Sequence, residues 1–273
     1  MQRTVFNHYG VLPMTLPERR TIELAHGRVA WREAGDGPAL VLLHGLNGNA
    51  ASWVRQYAAL AGRFRVVGWD APGYGGSDPH PQPGTDSYAD TVADLLDALG
   101  IERCCLLGHS MGGLIAPNVA HRHPGQIERL VLSGTRVGYS GAAAAGFAQR
   151  IRDFESLTPE AFGRSRARTM VSANAPAHIH DAVAAVAAEV RRDGYAAGVA
   201  LLGEADNRAV LAALDIPILA IGGGDDTIAP PACLDEIAAT APAARIARID
   251  GVAHAAYIEA PERYNALLVD FLG

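Results

Sequence analysis

"LLGHSMGG", Leu106 to Gly113, places a serine between two glycines directly behind a short apolar run. The run Arg103 to Leu107 reads as a strand and Met111 to Arg122 as a helix, so Ser110 falls on the turn that joins them. Such a turn brings strand and helix into close contact and leaves room only for small residues. Gly108 and Gly112 meet that need, and Gly113 helps. In a chain of this composition G-x-S-x-G arises by chance in about one case in ten. The surrounding chain must therefore decide between a nucleophile on a tight elbow and an ordinary serine in a glycine-rich loop.

Working outward, the runs Arg20 to Ala25, Val29 to Glu33, Ala39 to Leu43, Arg65 to Trp69, Leu130 to Ser133, Ile216 to Ile221 and Ala244 to Ile249 also read as strands. From Ala39 onward most are almost continuously apolar, as parallel strands covered on both faces should be. Between them lie helical patterns over Ala50 to Leu60, Ser87 to Leu99, Pro231 to Thr240 and Pro261 to Leu272. This alternation predicts an α/β fold with a mostly parallel eight-stranded sheet flanked by crossover helices.

The alternation stops from about Arg136 to Arg208, where alanine-rich helical segments follow one another. We read residues 1–135 and 209–273 as the core and 136–208 as a helical lid inserted after the sixth strand. Inside the insertion, Thr158-Pro159-Glu160 looks like an N-cap with proline at the first helical position, and Asp181 to Arg192 forms an alanine-rich segment with charges at both ends. Pro117, inside the helix after Ser110, removes an amide donor and crowds the carbonyl of Gly113, so a kink is expected there.

Composition bounds the function. The 273 residues carry 29 acidic and 23 basic side chains, a formal charge of -6. The basic residues are scattered, so neither nucleic acid nor a membrane surface is an expected partner. The stretch MQRTVFNHYGVLPM at the start has no apolar segment of signal-peptide length, and no long uncharged apolar run occurs elsewhere. A cytoplasmic protein is expected. Three cysteines, two of them adjacent at Cys104 and Cys105, suit buried thiols better than disulfides or a metal site. A homo-oligomer is compatible with the sequence, which carries no signal for one.

A serine hydroxyl is a weak nucleophile until a base takes its proton, and the base needs a carboxylate to orient it. Of ten histidines, His254 follows the last strand, on a loop at the carboxyl edge of the sheet where ligands of such folds bind. His44 and His109 are bound up in the turns beside Ser110, and His121 and His123 lie further along its helix. His178 and His180 in the lid are too few for a metal set. The strand Ile216 to Ile221 runs into Gly222 to Pro230, which offers Asp226, with Asp225 in reserve. The other expected strand end, Gly134-Thr135, offers no carboxylate.

Acyl chemistry also needs two fixed amide donors facing the developing oxyanion. The backbone amide of Met111, at the helix start, supplies one. The glycine-bearing loop Leu43 to Gly48 should supply the other, and Leu46 is the candidate. No cofactor or metal is required.

With Ser110, Asp226 and His254 in this order, and with the His44-Gly45 loop, the chain resembles the α/β-hydrolase superfamily over almost its whole length. Asp70-Ala71-Pro72-Gly73-Tyr74-Gly75-Gly76-Ser77 resembles the superfamily's loop after the fourth strand, and Gly251 to His254 its histidine loop. Asp226 stands four residues before Pro230, as the superfamily's carboxylate commonly does. Within the superfamily, His254 to Pro261 and the lid are most similar to 3-oxoadipate enol-lactonases and related small carboxylic-ester hydrolases. Serine at position 110 departs from haloalkane dehalogenases and epoxide hydrolases, which carry aspartate there.

The resemblance implies a serine hydrolase that cleaves a small ester or lactone through an acyl-enzyme. A carbon-carbon hydrolase of the meta-cleavage type ranks second, because Gly48-Asn49-Ala50 and Ala255 depart from that group's oxyanion loop and from its tryptophan after the histidine. A non-catalytic small-molecule receptor ranks third. Arg164, Arg166 and Arg168 offer a substrate carboxylate a partner, although solvated surface positions suit at least two of the three.

Overall fold

A computed structural model of the chain describes residues 15–139 and 146–273. The stretch MQRTVFNHYGVLPM, residues 1–14, in which no signal peptide is expected, and positions 140–145 of the insertion lie outside the described residues. The strands are β1 (Arg19–Leu24), β2 (Gly27–Ala34), β3 (Ala39–Leu43), β4 (Arg65–Asp70), β5 (Cys104–His109), β6 (Ile127–Ser133), β7 (Ile218–Gly223) and β8 (Arg245–Ile249). They form one sheet in the order β1-β2-β4-β3-β5-β6-β7-β8. β2 runs antiparallel to both its neighbours, and every pairing from β4 to β8 is parallel.

The near-continuous apolar runs are explained by burial on both faces. Leu42, Leu107, Val131 and Leu219 pair side by side across four strands and belong to one core layer. Leu43, Leu106 and Leu132 point into the other. Helices α2 (Thr85–Ala98) and α3 (Met111–Arg122) cover the second layer, while α1 (Val54–Leu60) and α11 (Pro261–Leu272) cover the first. Each fully buried leucine contributes about 2 kcal/mol relative to an exposed one. The three cysteines are buried and unbridged.

Between β6 and β7 the chain forms α4 (Phe147–Ser156), α5 (Pro159–Met170), α6 (Ala177–Ala187), α7 (Arg192–Glu204) and α8 (Arg208–Ala213). α5 packs on α6 and α4 on α7. Thr158 caps α5, its hydroxyl accepting from the Ala161 amide at 3.3 Å. The alanine-rich segment Asp181 to Arg192 is not one helix. α6 ends at Ala187, and Arg191 is extended at φ -94° and ψ 150°. The Arg191 guanidinium donates to the carbonyls of Gly75 (3.1 Å) and Ser77 (2.7 Å), and this long-range anchor overrides the local alanine propensity. α9 (Ala232–Thr240) and the short α10 (Ala256–Glu259) complete the chain, the latter an element the sequence pattern did not suggest.

α3 runs from Met111 to Arg122 without a break at Pro117. One carbonyl away from the bond that proline removes, the Leu114 carbonyl accepts the side-chain amides of both Asn118 and Asn207, each at 2.9 Å. The two asparagines are buried and bonded to each other at 2.8 Å. Asn207 also donates its backbone amide to Val137, which ties the end of the insertion to its beginning. Asn207→Leu should therefore lower unfolding stability by about 1–3 kcal/mol, the scale of stranding buried polar partners, as read by urea denaturation. An unchanged midpoint would contradict this.

Candidate active site

The parallel register brings the carboxyl ends of β3, β5, β7 and β8 to one edge of the sheet, where their loops meet. Ser110 occupies the turn between β5 and α3 at φ 54° and ψ -111° and is the one non-glycine positive φ among the described residues. The space around this turn is used up. A Cβ on Gly108 would lie 2.2 Å from the Gly112 carbonyl oxygen, and a Cβ on Gly112 would lie 2.3 Å from the Leu43 carbonyl oxygen. The Ser110 amide donates to Ser133 at 2.9 Å, and the Thr135 hydroxyl donates to the Ser110 carbonyl at 2.9 Å. The turn is thus clamped from β6.

The loop after β7 delivers Asp226 to a buried position, whereas Asp225 is exposed. One Asp226 carboxylate oxygen accepts the amides of Ile228 (2.7 Å) and Ala229 (2.9 Å). The other accepts from Nδ1 of His254 at 2.8 Å. With Nδ1 committed as a donor, His254 keeps its Nε2 lone pair for an incoming proton. Ser110, His254 and Leu46 all line one cavity of about 190 Å³, so the structure brings these sequence-selected residues to a common space. Met111 is fully buried at the first position of α3, where an amide has no acceptor within its own helix.

His44 and His109 shape the site from behind. His44 donates from Nδ1 to the Gly45 carbonyl (2.8 Å) and accepts the Ala71 amide at Nε2 (3.0 Å), a neutral tautomer that pins the loop carrying Leu46. Burial holds its pKa below the ordinary histidine value. The His109 ring lies 4.7 Å from that of His254 and 4.9 Å from Tyr257. Burial, and then the nearby His254, push His109 well below the usual range. The remaining histidines of interest lie apart from this site: His121 and His178 are exposed, and His123 bonds Asp90 at 2.8 Å.

The insertion forms the far wall. Arg150 of α4, Arg166 of α5 and Tyr195 of α7 line the cavity, together with Tyr139 and Thr227. Arg164 and Arg168 are exposed, so one of the three α5 arginines turns inward. The Ala255 amide, next to His254, donates to the Met170 carbonyl at 2.8 Å, joining the insertion directly to the histidine loop. Arg150, Tyr139 and Tyr195 had no local signal in the sequence, because tertiary packing alone sets them on the cavity that Ser110 also lines. Among the described residues no three histidine, cysteine or acidic side chains gather as a metal site, and no helix is long and apolar enough to cross a membrane.

A doubly covered, mostly parallel sheet, with a positive-φ serine at a strand-helix turn lining one cavity with a carboxylate-bound histidine, is the architecture of the α/β hydrolase class. The chain belongs to the alpha/beta hydrolase fold family, whose profile matches residues 38–261. A curated relative from Agrobacterium fabrum, named "Putative carbamate hydrolase RutD", is 29% identical over 90% of this chain and 97% of its own. The pimeloyl-[acyl-carrier protein] methyl ester esterase of Aeromonas hydrophila is 30% identical over 88% of this chain and 97% of its own. The crystal structure of the enol-lactonase from Burkholderia xenovorans superposes with a TM-score of 0.85 at 26% identity, covering 93% of this chain and 99% of that one.

The depressed pKa of His109 has a consequence for stability. Between the unfolded value near 6.5 and the lower folded value, the unfolded chain binds a proton that the folded chain does not. Its contribution is complete above about pH 6.5 and is lost as the pH falls below that value. Removing the group in His109→Gln should therefore make unfolding free energy less steep between pH 6.5 and 5 by up to about 1.4 kcal/mol per pH unit. Identical slopes for the variant and the parent, in urea titrations across that range, would contradict the assignment.

Proposed function

We propose that the protein is a serine hydrolase of small carboxylic esters or lactones in which Ser110, His254 and Asp226 act as one unit. The observation that carries this reading is the positive φ of Ser110, which turns its side chain onto the cavity that His254 also lines while Asp226 is bonded to the far side of that ring. Ser110 Oγ attacks the acyl carbon as His254 Nε2 takes its proton. The amides of Met111 and Leu46 hold the oxyanion. His254 then returns the proton to the leaving oxygen, the carbon-oxygen bond breaks, and an acyl-serine remains. Water repeats the sequence in reverse and releases the acid.

Helices α4 to α8 are the lid of this site, and their inward side chains set the substrate. The names of the relatives supply a carbamate, a methyl ester and an enol lactone, all carbonyls that bear a heteroatom leaving group. This favours acyl transfer over carbon-carbon cleavage and over a receptor without turnover.

Ser110→Ala should reduce hydrolysis of p-nitrophenyl acetate by about 10⁶-fold, the scale on which a nucleophile belonging to such a unit is lost. Asp226→Asn should cost about 10⁴-fold, whereas Asp225→Asn should stay within about twofold of the parent, since an exposed surface carboxylate contributes little. Undiminished turnover in the Ser110 variant, or a loss on Asp225 in place of Asp226, would overturn the assignment.

A further inference from the structure

Although the chain is acidic overall, at -6, the cavity beside Ser110 is cationic. The charged side chains that line it are Arg150 and Arg166, and no carboxylate is among the lining residues; Asp226 lies behind the His254 ring. Several arginines elsewhere are neutralised: Arg65 reaches Glu33, Arg122 reaches Asp86 and Asp90, and Arg192 reaches Glu155. Among the described residues neither Arg150 nor Arg166 has such a partner. Asp153, one turn along α4 from Arg150, accepts instead from Gln149 at 2.7 Å.

Both guanidinium groups are held in place by aromatic faces. Arg150 lies 5.2 Å from the ring centroid of Phe147, and Arg166 lies 5.5 Å from that of Phe162. Such stacking orients a planar cation without using its hydrogen-bond donors. Arg166 places one donor in a serine hydroxyl, that of Ser165 at 3.2 Å, while its Nε is buried with no hydrogen-bond partner. A buried donor in that state is costly unless something accepts from it. Tyr139 and Tyr195 add hydroxyls to the same wall. Two fixed forks and an unanswered donor, set across a cavity from a nucleophile, match the geometry of a carboxylate, which accepts from such forks in pairs.

We propose that this wall is a carboxylate subsite, and that the substrates are anionic: esters or lactones carrying a second, free carboxylate that Arg150 and Arg166 bind while the scissile carbonyl faces Ser110. This rests on the ester-hydrolase reading above and narrows it to monoesters and lactones of dicarboxylic acids. The subsite also retains the product, which is a dicarboxylate, so such acids act as competitive inhibitors.

The test measures binding and turnover separately. Succinate, glutarate and adipate, together with glutaramide as an uncharged match, are titrated into the intact protein by calorimetry. At least one diacid should bind at least about tenfold more tightly than the diamide, since one charged hydrogen-bonded contact is worth that or more. Arg166→Gln and Arg150→Gln should each weaken the diacid about tenfold or more, and leave the diamide and the thermal melting midpoint unchanged. Arg164→Gln, at an exposed position, should change nothing. In turnover, mono-p-nitrophenyl glutarate should exceed p-nitrophenyl pentanoate in kcat/KM, and either inward variant should lower kcat/KM for the charged ester more than for the neutral one and so abolish that preference. Equal binding of acid and amide, no binding of any of the three acids, or arginine variants that bind the diacid as the parent does would overturn the subsite. Arginine-dependent diacid binding without hydrolysis of either ester would uphold the subsite and remove the ester-hydrolase reading instead.

Discussion

The backbone of Ser110 is the constraint on which the rest of this structure turns. A non-glycine residue at φ 54° and ψ -111° is held in a conformation that costs of order 1–3 kcal/mol, and it persists only where the surroundings allow nothing else. The turn is fixed by the Ser110 amide bonded to β6, by the Thr135 hydroxyl on its carbonyl, and by two glycines whose missing side chains let β3, β5 and α3 touch. The result is a serine set on the cavity at the sheet edge, at the start of α3. Strain in one residue thereby becomes placement of several groups.

The same edge is braced on either side by polar contacts far apart in sequence. Asp70, wholly buried at the end of β4, accepts the amides of Ala50 (2.8 Å) and Gly76 (2.9 Å), and its own carbonyl accepts the Ser77 hydroxyl at 2.6 Å. With His44 bonded to Ala71, these contacts lock the loop that carries Leu46 against the loop after β4. The insertion is fastened to the same loops through Arg191 on Gly75 and Ser77, and through Asn49 on Glu189 at 3.1 Å. The cavity wall formed by α4, α5 and α7 is therefore set by the same loops that carry Leu46 and follow β4, and the proposed substrate preference follows from what that wall presents.

How much of this could be read from the chain depended on whether the cause was local. β3 and α3 were legible to the residue, because a doubly buried strand is apolar throughout and a helix after a tight turn starts where the turn ends. The resemblance to the superfamily pointed to Asp226, four residues before Pro230, and in the structure Asp226 is buried and bonded to His254 while Asp225 is exposed. The end of α6 was not legible, because Arg191 is drawn out of the helix by carbonyls more than a hundred residues away. What answers the Leu114 carbonyl beside Pro117 was not legible, because one of the two asparagines that donate to it is 93 residues distant. Arg166 could be singled out only as one of three, and Arg150 not at all, since the facing of α4 and α5 is decided by tertiary packing.

The central claim is that one serine, Ser110, is activated as a nucleophile by its turn and by His254, and it can be tested without knowing the substrate. The intact protein is treated with a fluorophosphonate, which phosphonylates activated serines, and the adduct is located by mass spectrometry of its peptides. The account predicts a single adduct on Ser110 that is lost in His254→Ala, although the serine is still present there. No adduct, an adduct on another residue, or undiminished labelling without His254 would contradict it.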